Sequence, residues 1–434
     1  MTRTLSILGG GLEGWLTALF AARKLEGLCD RVVVVPSGKV EETGAAVVYP
    51  QSRSLLLDLG LNEEKLVREA DGAFLLGAKF GAAPGYVLAF GAYGAPANSV
   101  AFHHYWTRMK DAERAAPFDA YSLGAEMARL GRFVHPVSDP KRLESSFGYG
   151  LVLDRAKVSA LVEAEARAAG VEMADAPPQD VWLQIDSRAM AVGLPDFVAW
   201  TDLPDVGRTR VEDAPKGNAN MSCWSVDNSA DDLSVTLSSR SRSYKMTWFD
   251  KNAHVAGRLA APWTERSVCL GQASHALPGV LQTDLLLLLA QLGLLASLLP
   301  ASDQPADIVA REYNRRAARM MDYVADMEAL VISAGKLADG EIASPSLARR
   351  LQQFRSRGRV VTYDDELFSE QDWIAAIIGF HAVPERVSPL ALGAPIEAVA
   401  RNYDGLRQAI GRAVSRLPDQ QTYLAHLLEE EGAG

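Results

Sequence analysis

Leu5-Ser-Ile-Leu-Gly-Gly-Gly-Leu-Glu-Gly-Trp15 decides how this chain begins to fold. A short apolar run ends in Gly9-x-Gly11-x-x-Gly14, and an Ala/Leu-rich helical segment, Trp15–Leu25, follows at once. Strand, glycine turn and helix in this order suit a dinucleotide pyrophosphate. Gly9 allows the tight turn, Gly11 lets backbone N–H groups approach the phosphates, and Gly14 lets helix and strand pack closely. The helix N-terminus adds unpaired donors and a partial positive charge. A second strand, Arg31–Val35, falls where a βαβ unit needs it, but the acid expected at its end is replaced by Pro36. Glu13 lies in the first helical turn and has two readings. It points out to solvent, or it occupies the anion site itself and weakens nucleotide binding.

The 434 residues are enough for a substantial core and two interleaved domains. With 48% hydrophobic and 23% charged residues the composition is that of a soluble globular protein, and the net charge of −10 argues against a nucleic-acid partner. Three widely spaced cysteines, Cys29, Cys223 and Cys269, make neither a metal pattern nor a disulfide framework. With no signal-like segment at the start, they point to a reducing cytoplasm. Leu285–Leu299 is nearly all apolar, yet it is shorter than the ~20 residues of a membrane span. Gln291, Gly293 and Ser297 interrupt it, so a buried helix is expected.

The pattern divides the chain into a nucleotide-binding segment (1–80), a β-rich insertion (81–145), a return to the nucleotide domain (146–190), a substrate-side sheet (191–262), completion of the nucleotide domain (263–300) and a helical region (301–434). Phe74–Phe80, Tyr86–Phe90, Val181–Ile185, Ser222–Val226, Leu233–Ser238, Tyr244–Phe249 and Arg266–Gly271 read as strands, and Phe147–Gly170 as strand then helix. His103–Ala115 is mixed.

Read in order, these segments resemble the flavin-dependent tryptophan halogenases, part of the flavin monooxygenase superfamily. Gly9-Gly-Gly-x-x-Gly-Trp15 is similar to the family's flavin-binding start. Asp71-Gly-Ala-Phe74 through Lys79-Phe80, Tyr86–Gly91, His104-Tyr-Trp106, Trp263–Gly271, Glu312-Tyr-Asn-Arg315 and Phe354–Trp373 also have counterparts there. The resemblance implies an α/β fold: a Rossmann-type FAD domain, a β-rich second sheet and a C-terminal helical region. It implies reduced FAD, dioxygen and halide as reactants, a small aromatic substrate and a flavin reductase. It also implies a lysine and a glutamate that direct hypohalous acid.

The sequence departs from that pattern at several positions. The lysine's place is Leu75 and the glutamate's place is Leu281. The nearest replacement is Lys79, four residues on and on the same face as Leu75 if the strand is regular; it also matches a second family lysine outside the reaction site. The family's Trp-x-Trp-x-Ile-Pro segment is missing from both Met221-Ser-Cys-Trp224 and Met246-Thr-Trp-Phe249, and Leu88 stands for a family histidine. The late Gly-Asp motif reads Gly271-Gln272, followed by Ala-Ser-His-Ala-Leu-Pro278. Flavin contacts are therefore expected from Gly9, Gly11, Gly14, Gly271, Gln272 and Pro278, with FAD held weakly or lost.

Other candidates have plainer readings. His275 is near the flavin or structural, and His103-His104 are structural because adjacent residues on a strand face opposite ways; no metal site is expected. Cys269 is core, and Asp364-Asp365-Glu366 is a solvated acidic cluster at a helix start. Two functions follow. One is a divergent flavin-dependent oxidoreductase that does not halogenate by the family route. The other is a non-catalytic homologue serving as a partner subunit, as a homo-oligomer or beside a halogenase paralogue.

Overall fold

The computed structural model describes residues 3–38, 42–81, 85–188, 196–203, 206–215, 222–228, 233–299, 307–333 and 344–430. They form two compact units: Met1–Gly72, Val152–Ala214 and Tyr244–Ala325 in the first, and Ala73–Leu151, Pro215–Ser243 and Asp326–Gly434 in the second.

The first unit is built on β1 (Thr4–Leu8), whose residues are buried apart from the half-buried Leu8. It pairs in parallel with β2 (Arg31–Val35) on one side and with Leu183–Asp186 on the other. Ser267–Cys269 and Trp263–Thr264 extend the sheet past Leu183–Asp186, and Glu172–Met173 extends it past β2. A parallel sheet covered on both faces calls for continuous apolar strands rather than alternating ones, and Val32–Val35 and Leu5–Ile7 meet that need. Helix α1 (Gly11–Lys24) packs on the helix Arg155–Ala168. Asp284–Leu298 is helical, with Leu285–Leu289, Leu292, Leu294 and Leu295 all buried. Burial on most of its circumference explains its composition, and no helix among the described residues is long and apolar enough to cross a membrane. A small antiparallel sheet joins Phe197–Ala199, Gly257–Leu259 and His275–Ala276. The Arg258 guanidinium pins it to Asp322 through two bonds of 2.8 and 2.9 Å.

In the second unit Trp224–Asn228 runs antiparallel to Leu233–Ser238 and parallel to Gly77–Phe80, which pairs antiparallel with Tyr86–Ala89. Helices Phe102–Asp111, Leu123–Arg129, Pro345–Arg357, Glu370–Phe380, Ile396–Val414 and Gln420–Glu430 complete it. Two expectations are corrected here. His103 and His104 lie on a helix, not a strand. The acidic cluster 364–366 is not a helix start, and only Asp364 of it is exposed: Asp365 is 6% exposed and the Glu366 side chain 2%. Glu366 accepts from Trp373 Nε1 at 2.7 Å and from Arg350, whose Cζ lies 3.7 Å from the Trp373 ring centroid. Burial raises the Glu366 carboxyl above its ordinary value, with Arg350 opposing. The helix instead starts at Glu370, where Ser369 and Asp372 form a reciprocal capping box.

Phe74 stacks on Phe133 at 4.1 Å between ring centroids, with His135, Tyr149 and Tyr423 at the edges. Gln420, 1% exposed, clamps this residue by its backbone: Oε1 accepts from Phe74 N at 3.0 Å, and Nε2 donates to Phe74 O at 2.8 Å. Gln420→Leu keeps the volume but leaves a buried N–H and C=O without that amide. Chemical denaturation is expected to show a loss of about 2–3 kcal/mol.

Candidate functional site

The glycine turn is where the sequence placed it. Gly9 N donates to Val35 O at 3.0 Å, and Ser187 N donates to Leu8 O at 2.9 Å, joining the carboxyl ends of three strands. Gly9 and Gly11 have φ of +123° and +83°. A Cβ on Gly14 would lie 2.3 Å from Gly9 O, so the start of α1 presses against the turn with no room for a side chain.

The start of α1 has no side-chain cap from Gly10. An acid 30 positions from Leu12 does that work: Leu12 N donates to Glu42 Oε1 at 2.6 Å. The other Glu42 oxygen accepts from Arg155 Nε at 2.6 Å, and Arg155 Nη2 donates to Glu13. The side chains of Glu13, Glu42 and Arg155 are 10, 11 and 16% exposed, so the pairs work in a medium less polar than water. Glu13 is thus not turned out to solvent. Burial works against the Arg155 charge, but Glu13 and Glu42 outweigh it and hold the guanidinium above its ordinary value. Asp284, at the start of its helix, belongs to the same cluster. Its carboxyl is raised by burial, with Glu13 adding to the rise and Arg155 opposing it.

Gly271 (φ +56°) opens the second candidate segment. Gln272 Nε2 donates to Asp284 Oδ2 at 3.2 Å, and Pro278 is buried beyond His275–Ala276. Sequence reasoning missed Gln291, which it saw only as an interruption. Fully buried in the leucine-rich helix, it accepts from Gly271 N at 2.8 Å and donates to Ser274 Oγ at 3.0 Å, holding the turn at both ends. Glu42 was missed too; its only sequence signal was an acid between β2 and the next strand. His275 is 2% exposed, with Nδ1 3.2 Å from Ser274 Oγ and Nε2 lacking a partner among the described residues. Burial lowers it from 6.5 to about 4. Cys269 is half-buried rather than in the core, and its thiol is pushed up to about 11, first by burial.

The positions expected to carry chemistry are apolar or apart. Leu75 is wholly buried at the end of Ala73–Leu75. Lys79, half-buried, belongs to a separate strand, Gly77–Phe80, and Gly77 between them has φ of +150°. The alternation that put Leu75 and Lys79 on one face does not run through this break. Leu281, in the first unit, is 2% exposed and its carbonyl accepts from the Tyr49 hydroxyl. Met221 lies outside the described residues. His103 Nε2 donates to Gly358 O at 2.7 Å, and His104 Nδ1 accepts from Ser388 N at 3.2 Å. No cluster of potential metal ligands occurs among the described residues. A cavity of about 210 Å³ in the second unit is lined by Tyr93, Phe102, Phe118, Ile374, His103 and Glu370.

The tryptophan halogenase family model matches residues 4–196 and 230–395. The chain belongs to the tryptophan halogenase family. Among curated proteins no sequence matches it. Among solved structures, BrvH, a flavin-dependent halogenase from Brevundimonas sp. BAL3, superposes with a TM-score of 0.87 at 24% identity, covering 98% of this chain and 99% of that one. Xcc4156, a flavin-dependent halogenase from Xanthomonas campestris, gives 0.86 at 20%, with 98% of each chain covered. The tryptophan 6-halogenase SttH from Streptomyces toxytricini gives 0.81 at 16%, over 98% of this chain and 99% of that one. These likenesses establish the fold.

Membership in this halogenase family implies FAD as cofactor. The glycine turn has the shape for it, but the charges around the turn do not fit a pyrophosphate as they stand. Leu12 N–H already serves Glu42, Glu13 and Glu42 share the Arg155 guanidinium, and the Asp284 carboxyl feels both the Arg155 and the Glu13 charge. Pro36 gives no acidic acceptor at the end of β2, and Gln272 is engaged by Asp284.

Two outcomes are expected. Arg155→Met leaves Glu13 and Glu42 without their shared cation and lowers the unfolding free energy by about 3–5 kcal/mol in a denaturant titration. His275 is neutral in the folded protein down to about pH 4 but protonates near 6.5 when unfolded. Its contribution is therefore complete above about pH 6.5 and is lost as pH falls toward 4, by up to about 3 kcal/mol. Asp284, with its raised carboxyl, has the opposite sign and opposes the acid-side loss. Unfolding curves of His275→Leu across this window should be flatter with pH than those of the parent.

Proposed function

We propose that this chain is a divergent oxidoreductase of the flavin-dependent halogenase family that does not halogenate by the family's route. The observation carrying this is Leu75. It stands where the family resemblance puts the lysine that handles hypohalous acid, and it is wholly buried. A leucine has neither a lone pair nor a proton to offer such an oxidant. Lys79 is separated from it by the break at Gly77, and Leu281 offers only a buried alkyl group. FAD, on this reading, binds weakly, because three carboxyl groups surround its pyrophosphate position. A small aromatic compound is the substrate class in keeping with the family and with the aromatic lining of the cavity at Tyr93, Phe102 and Phe118.

The same carboxylate cluster favours a second reading, a non-catalytic homologue acting beside a halogenase paralogue. A saturable FAD titration supports the oxidoreductase, whereas no binding at high FAD concentration supports the partner.

The test of the main reading is a product assay with FAD, a flavin reductase, NADH, oxygen, and chloride or bromide, using tryptophan and simple indoles, read by mass spectrometry. No halogenated product above the enzyme-free control is expected, and product formation by the wild type overturns the proposal. Leu75→Lys is expected to remain inactive and to lower thermal stability, since it places an ammonium in an apolar core.

A further inference from the structure

We infer that Glu42 is an internal competitor for the phosphate position at the start of α1, and that displacing it turns Leu12 N–H and Arg155 into a phosphate-binding pair. The inference rests on reading this turn as the family's flavin site.

The geometry supplies the argument. Helix α1 has 14 residues and begins at Gly10 without a side-chain cap, so its first amides depend on a group brought from elsewhere. Glu42 brings one. Its carboxylate spans a backbone N–H at the helix start and a guanidinium, each at 2.6 Å. A phosphate group is bound by the same donor types, with amides at a helix N-terminus and a charge-assisted bond from arginine. The carboxylate therefore copies one end of a pyrophosphate, and the two anions exclude each other. Both need the same N–H and the same face of Arg155, and like charge adds to the conflict.

Glu42 is suited to leave. It lies between β2 and the strand Ala45–Val48, outside any regular element, two residues before Gly44 at φ +88°. Moving its side chain breaks no ladder bond. Arg155, by contrast, is fixed. It is the first residue of its helix, its N–H donates to Gly44 O at 3.1 Å, and the preceding Asp154 caps the helix by accepting from Lys157 N at 2.9 Å. Glu13 holds the other end of the guanidinium. When Glu42 departs, Arg155 stays charged and aimed at the turn.

The test is an FAD titration followed by flavin fluorescence on the full-length chain, comparing wild type with Glu42→Ala, Glu42→Gln and the double variant Glu42→Ala/Arg155→Met. Thermal unfolding of each confirms the fold. Glu42→Ala is expected to bind FAD at least tenfold more tightly than wild type, and inorganic pyrophosphate should displace the flavin from it. The double variant should lose that gain. Glu42→Gln, which keeps the shape and removes the charge, covers the case in which the alanine variant does not fold, and is also expected to bind more tightly than wild type. A folded Glu42 variant that binds FAD no better than wild type overturns the inference, as does a gain that survives loss of Arg155. Neither result bears on halogenation, which the product assay reads separately.

Discussion

Arg155 joins three stretches of the first unit that are remote in sequence: the start of α1 through Glu13, the segment after β2 through Glu42, and its own helix. The glycine turn brings the carboxyl ends of β1, β2 and Leu183–Asp186 together, and the amides at the start of α1 then need an acceptor. Glu42 answers that need only because Arg155 neutralises it. The arrangement resembles a remote capping box with a cation at its centre. Burying two carboxylates is tolerable because each oxygen that faces the cluster has a donor. On the inference drawn above, the donors that stabilise Glu42 are those a dinucleotide would use.

The positions singled out in the sequence fall on both units. Leu281 and the carboxylate cluster belong to the first, and Leu75 belongs to the second. Each is well accommodated where it stands. Leu75 is wholly buried in its strand, and Leu281 offers its carbonyl to Tyr49. None leaves a buried charge without a partner.

Much of the frame was legible because its signals are local. β2 spans Arg31–Val35 as the apolar run indicates, and the glycine spacing places the turn and α1. The Leu285–Leu299 run reads as a buried helix from its length and its three interruptions. The failures have physical reasons. Phe102-His-His-Tyr-Trp106 is rich in residues that favour strands, yet helical packing overrides that preference. The extrapolation from Leu75 to Lys79 assumed unbroken alternation, and Gly77 breaks it. Glu366 looks solvated in sequence because its cation, Arg350, lies 16 residues away on the helix Pro345–Arg357. Glu42 escaped notice because a bond from residue 12 to residue 42 leaves no periodic trace.

One polar residue in the leucine-rich helix has a wider consequence. A helix apolar on nearly every side buries about the same area whichever face it turns inward, so hydrophobicity alone sets neither its azimuth nor its axial register. Gln291 removes that degeneracy. Its amide meets Gly271 N and Ser274 Oγ in one orientation only, and a rotation of the helix by one residue would strand it in hydrocarbon. A single side chain thus acts as a key, aligning a greasy cylinder with the Gly271–Ser274 turn at atomic precision.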